Sequence, residues 1–164
     1  MATNDPEELG RTSIALHDLL GLDFTWETGP GDTAEVRMPV RPAAFGFTNN
    51  LHGGAIATMI DLACALAAAR STGHDPTVES LITADMHIRY LGRARTDVVT
   101  AKASVVRAGS QLIVVDCDVV DGNDHRIAAA DLSMMRVPLR RTPLDDRMSS
   151  VDGSPPAFPD STGS

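Results

Sequence analysis

Between Gly53 and Ala69 lie seventeen residues among which Asp61 is the only ionisable side chain. The run reads Gly-Gly-Ala-Ile-Ala-Thr-Met-Ile-Asp-Leu-Ala-Cys-Ala-Leu-Ala-Ala-Ala, and His52 stands immediately before it. Ala, Leu, Ile and Met at this density make a helix that expects burial on most sides. A carboxylate carried into that burial is costly unless a partner meets it. Asp61 is therefore either a structural hydrogen-bond hub or a chemical group held in position. The same charge, near the centre of a segment slightly short for a bilayer, argues against a membrane span.

A length of 164 residues with 43% hydrophobic content suits one soluble globular domain. Aromatics make up only 4%, so the core must be aliphatic and Ala-rich. A net charge of −8, with Lys and Arg gathered only in local pairs such as Arg140-Arg141 and Arg93/Arg95, excludes nucleic acid as a partner. Cys64 and Cys117 both lie in apolar runs and read as small buried hydrophobes, which fits a reducing cytoplasm. The acidic, polar stretch Met1–Gly10 has no apolar run behind a basic region, so a secretory signal is not expected.

Residues 1–9 read as a flexible leader and 10–138 as the folded domain. Ser13–Leu20 has helical spacing and a stop at Gly21. Phe24–Thr28 and Thr33–Val40 read as strands joined by the turn cluster Gly29-Pro30-Gly31-Asp32. In the second, Ala34, Val36 and Met38 alternate with polar neighbours, the mark of a half-buried strand. Arg41–Leu51 is a loop, and the apolar helix then runs to about Ser71-Thr72-Gly73. Beyond it, Ala84, Met86, Ile88 and Tyr90 alternate with Thr83, Asp85, His87 and Arg89. Strands follow over Val98–Val106, Leu112–Val120 and His125–Val137, with turns at Ala108-Gly109-Ser110 and Asp121-Gly122-Asn123-Asp124. From Leu139 the chain is Pro- and Ser-rich and reads as a disordered tail to residue 164. Two strands, an apolar helix and four longer strands suggest an α+β fold, an antiparallel sheet curled around a long central helix. One chain of this size hardly covers every face of such a helix, so a homodimer is expected.

Asn49, Asn50, His52, Gly53 and Gly54 precede and open the helix. Glycines there let a ligand approach the backbone, and the first helical N–H groups form a positive, unpaired site suited to an oxyanion. The plainer reading is that Asn50 caps the helix and the glycines permit a tight turn. Asp61 follows His52 by nine residues. That is half a turn out of phase and about 13 Å along the axis. The two can share one reaction only across an interface between two copies of the helix.

The run Asn49-Asn50-Leu51-His52-Gly53-Gly54-Ala55, with Asp61 in Met59-Ile60-Asp61-Leu62-Ala63, resembles hotdog-fold acyl-CoA thioesterases of the phenylacetic-acid-degradation and thioesterase superfamily member 2 type. Thr83 to Leu91 is similar to the family's strand after the helix. The resemblance implies a hotdog fold over about residues 10–138 and hydrolysis of acyl-CoA by a homodimer or homotetramer. Coenzyme A would enter only as part of the substrate, with no other cofactor. It makes Asp61 the general base or nucleophile, Gly53 N–H the oxyanion donor supported by His52, and Thr83 a hydroxyl that orients the water. The family's Asn six residues before the His falls on Gly46 here, and its Gly falls on Asn49, which leaves Asn49 or Asn50 to supply an amide. A non-catalytic acyl-CoA binding module on the same fold is the rival this departure motivates.

Arg89, Arg93, Arg107 and the Gly109-Ser110 turn are candidates for coenzyme A phosphates, against the ordinary role of surface Arg. Phe45 and Phe47, with Gly54, are candidates for the acyl site, against simple packing under the loop. Asp116 and Asp118 share a strand face, which reads as solvent-facing rather than as a catalytic pair. Asp85, placed on Thr83's face by strict alternation, is a candidate supporting group or a solvated one. His74, His87 and His125 lie in different elements without ligand spacing, so no metal site is expected.

Overall fold

The computed structural model describes residues 14–24 and 30–139, so the expected leader and most of the expected tail lie outside the described residues. The elements are α1 (Ala15–Leu20), β1 (Asp23–Phe24), β2 (Thr33–Pro39), α2 (Gly53–Thr72), β3 (Glu79–Tyr90), β4 (Val98–Ala108), β5 (Leu112–Asp121) and β6 (Arg126–Pro138). Ser13, residues 25–28 of the first expected strand and Gly29 of the expected turn also fall outside the description. The loop before α2 contains a short 3-10 turn over Pro42–Ala44. Leu139, expected to begin the tail, is still tied to the fold, its N–H donating to Val78 O at 2.9 Å.

Among the described residues, six antiparallel strands form one sheet in the order β1-β2-β4-β5-β6-β3. The chain leaves β2 near one edge and re-enters as β3 at the other, so α2 must cross the sheet between them. It packs on β2, β3, β4, β5 and β6, and the sheet curls around it. This is the hotdog architecture, an α+β fold, as expected from the sequence. Ala55, Ile56, Met59, Ile60, Ala63, Cys64, Leu66, Ala67 and Ala68 supply the helix's share of the core. Facing them are Val36, Met38, Val99, Ala101, Ile113, Val115, Val119, Leu132 and Met134. By length and composition α2 could cross a membrane, but half of its most apolar window is buried inside this core. Packing within the chain thereby accounts for that half of the window. The helix ends at Gly73 (φ 59°), a left-handed residue whose N–H returns to the last turn.

Each strand alternates as the sequence suggests until β3. There the pairing with β6 slips between Thr83 and Asp85, where Ala84 is the extra residue. Thr83 stands opposite Met134, Asp85 opposite Ser133 and Met86 opposite Leu132. Met134 and Leu132 are buried on the concave face, while Ser133 lies on the alternate face. The bulge therefore turns Thr83 inward with Met86, Ile88 and Tyr90, and leaves Asp85 outward. Strict alternation had placed Thr83 and Asp85 together, and that expectation is corrected. Asp85 has no place beside Thr83.

The remaining expectations for this region fall into place by face. Asp116 is solvent-exposed opposite Asp131, and Asp118 is paired with Arg126 at 2.6 Å. Cys64 and Cys117 are buried free thiols. The hydrogen bond that the Cys64 thiol donates to Cys117, followed by burial, pushes its pKa far up, so it stays protonated and inert. His74 meets Glu79 at 3.4 Å and His87 meets Asp131 at 3.4 Å, on separate parts of the sheet.

Candidate functional site

The site is assembled at the sheet edge formed by β3, where the flank of α2 is least covered. Gly54 is exposed, and Ala57, Thr58, Asp61, Leu62 and Ala65 are half-buried along this flank. Asp61 is brought there by helical phase, two turns after the helix begins. Thr83 is brought there by the β3 bulge. Its hydroxyl Oγ1 donates to Asp61 Oδ1 at 2.6 Å. Asp61 thus has one oxygen held and the other without a hydrogen-bond partner among the described residues.

The start of α2 is built differently from the Asn50 cap expected from its sequence. His52 is the N-cap residue, with φ −66° and ψ 135°, and its Nδ1 accepts from Gly54 N–H at 2.8 Å. This hydrogen bond places the neutral ring's proton on Nε2. Asn50 instead contributes its backbone carbonyl, which accepts from Gly46 N–H at 2.8 Å. The N–H of His52 donates to Ala44 O at 2.8 Å, and Phe45 bridges to Leu51, so the loop folds back on itself before the helix. The Gly53 N–H has no hydrogen-bond partner among the described residues and points from the positive end of α2.

Gly53 and Asp61 are eight residues apart on one helix. That is about 12 Å along the axis, too far for both to touch one carbonyl group. Asp61 and Thr83 are therefore joined within the chain, and His52, Gly53 and Gly54 form a second, separate group.

The other candidates scatter. Asn49 sits in a left-handed turn (φ 50°) and is exposed, and neither Asn49 nor Asn50 makes a side-chain hydrogen bond among the described residues. Gly46 lies against His52: a Cβ there would be 3.5 Å from His52 Cδ2. Phe45 packs against the core while Phe47 is fully exposed. Arg89 lies 3.8 Å from Asp131, which stands on the convex face of the sheet, away from Thr83. Arg93 and Arg107 are exposed, the latter at a second bulge between Val105 and Arg107. Ser110 is exposed in the β4–β5 turn, and Gly109 is required there because a Cβ would lie 2.7 Å from Leu112 O.

One residue at the helix start was missed. Tyr90 closes β3 and donates its hydroxyl to Gly53 O at 3.0 Å. Its place in the series Met86, Ile88, Tyr90 announced a concave-facing side chain, but nothing in the sequence showed that it reaches the first turn of α2.

Residues 48–128 match the model of the thioesterase superfamily. A Halobacterium salinarum protein classed provisionally as an esterase is 43% identical over 75 residues, 46% of this chain and 48% of that protein. The chain thus spans about half the length of that curated relative. Among solved structures, a mutant thioesterase of Pseudomonas aeruginosa is 25% identical, with a TM-score of 0.71 over 84% of this chain and 97% of its own. A Haemophilus influenzae thioesterase is 19% identical, with a TM-score of 0.70 over 86% of this chain and 94% of its own, a likeness of fold. The matched segment includes the helix start and Asp61, and residues 48–128 resemble the thioesterase superfamily within a chain that has the hotdog fold.

Proposed function

We propose that this chain hydrolyses acyl-CoA thioesters to a free acid and coenzyme A, in the manner of phenylacetic-acid-degradation and thioesterase superfamily member 2 enzymes. The observation that carries the reading is the Thr83–Asp61 hydrogen bond of 2.6 Å on the open flank of an otherwise apolar helix. Here Thr83 fixes Oδ1 and leaves Oδ2 free to act.

As general base, Asp61 Oδ2 takes a proton from water while the water oxygen attacks the thioester carbon. As nucleophile, the same oxygen attacks that carbon and water later hydrolyses the anhydride. On either path the carbonyl oxygen gains negative charge, which Gly53 N–H at the helix start is suited to receive. The C–S bond then breaks and the coenzyme A thiolate takes up a proton. Because Gly53 and Asp61 of one chain stand about 12 Å apart, the reaction requires Gly53 from a second copy. The active form is accordingly a homodimer, or a homotetramer made of such dimers, acting in the cytoplasm without metal or further cofactor.

Purified protein should release thiol from acyl-CoA in a panel of short, medium, long and aromatic acyl groups. Asp61→Ala should abolish that release, with an unchanged circular dichroism spectrum. Full activity in the variant would remove Asp61 from the mechanism. A second reading, a binding module without turnover, draws support from Gly46, which presents no side-chain amide beside His52. Multiple turnover on any member of the panel would eliminate it.

A further inference from the structure

We infer that Tyr90 is a positioning residue of the proposed site, its hydroxyl holding the first turn of α2 where Gly53 N–H is to meet the thioester oxygen; this rests on the hydrolase reading above. Beyond the β3 bulge, Met86, Ile88 and Tyr90 stand opposite Leu132, Ala130 and Ala128, all buried on the concave face. Tyr90 is the last residue of the strand, so its ring extends past the sheet onto the helix start. The hydroxyl donates to Gly53 O at 3.0 Å. On the other side of the same turn, His52 Nδ1 accepts from Gly54 N–H at 2.8 Å. Gly53 O and Gly54 N–H belong to one peptide unit. Tyr90 and His52 therefore clamp that unit at both of its polar atoms, and the neighbouring peptide carries the open Gly53 N–H.

Glycine at 53 has its explanation in this contact. Its φ is not among the positive values in the chain, so backbone freedom does not demand it. A Cβ at 53 would instead lie 3.2 Å from Tyr90 Oη and 3.3 Å from Cζ, close enough that the ring would have to give by a few tenths of an ångström. The ring occupies the space a side chain would take. Core packing alone does not account for Tyr90, which remains 54% exposed. A helix's first turn has few internal hydrogen bonds, and small displacements of a catalytic donor are expensive in rate.

The test uses the full chain and follows thiol release, thermal melting and the Gly54 amide resonance together. Tyr90→Phe keeps the ring and loses one hydrogen bond, so kcat should fall about three- to tenfold with KM and Tm unchanged. The Gly54 amide should shift in the same variant. Gly53→Ala should lose activity by displacing the ring. Adding Tyr90→Ala to it should cost less than the product of the two single effects, because the crowding is then gone. Wild-type kcat in Tyr90→Phe overturns the inference and leaves the hydrolase reading standing. A kcat loss that merely follows a lowered Tm also overturns it. Wild-type protein inactive across the acyl-CoA panel removes the hydrolase reading itself, and the inference with it.

Discussion

Among the described residues, the carboxylates Asp121 and Asp61 are held in ways that separate their roles. Asp121 is buried at the β5–β6 hairpin, where Oδ1 accepts from the N–H groups of Asn123 and His125 and Oδ2 from that of Arg95. Burial pushes its carboxyl up, but these three backbone N–H groups outweigh it and hold the group below its ordinary value. Asp61, by contrast, accepts one hydroxyl and keeps an oxygen open. A satisfied carboxylate fixes a loop; an open one can take a proton. A folded-state value below the unfolded one means that Asp121 stabilises the fold above the unfolded value, about pH 3.9, and loses that effect as pH falls through the folded value. Asp121→Asn should therefore lower Tm by several degrees at pH 7. The gap from wild type should close in melts below about pH 4. A gap that is constant with pH would assign the effect to packing instead of charge. In the sequence, Asp121 read only as part of a turn, since its acceptor role depends on Arg95 arriving from a different loop.

At the level of elements, β3 shows where reading from sequence stops. The long helix, its end at Gly73 and the four later strands follow from apolar content, capping and alternation, all local properties. The bulge does not, because no residue type at Ala84 signals it; the slip is settled by pairing with β6. The cap had a similar fate, as His52 took the role that side-chain preference assigns to Asn50. The candidate residues Asp61 and Thr83 were thus legible in the sequence, while the reason they meet was not. The bulge makes a distinct prediction. With Ala84 deleted, Thr83 and Asp85 become adjacent and retain the partners Met134 and Ser133 without any slip. The shortened protein should fold, keep Thr83 facing Asp61 and retain thiol release within about tenfold, allowing for a modest change of strand twist. Loss of activity by the factor of about 10²–10³ that removal of a catalytic group brings would mean that Thr83 had turned outward.

At the level of the whole molecule, the question is where the proposed base and the proposed oxyanion donor could meet. α2 offers Asp61 near its middle and Gly53 at its start, and the sheet wraps the helix everywhere except along the flank between them. A two-fold axis beside that flank would run two such helices antiparallel and set each Asp61 near the other chain's Gly53. Subunit mixing tests this directly. Gly53→Pro removes the proposed donor N–H at a position where helices accept proline, and His52, with ψ 135°, already has the extended backbone that precedes proline. The Tyr90 ring must give by a few tenths of an ångström, so Tm is measured alongside. Asp61→Asn and Gly53→Pro should each be inactive alone. Mixed in equal amounts after dissociation and reassembly, half of the dimers pair one variant with the other. In each of those, one of two sites receives both an intact Asp61 and an intact Gly53. Activity should return to about a quarter of wild type. If both groups served a site within one chain, every chain would still carry a defect, and the mixture would stay inactive.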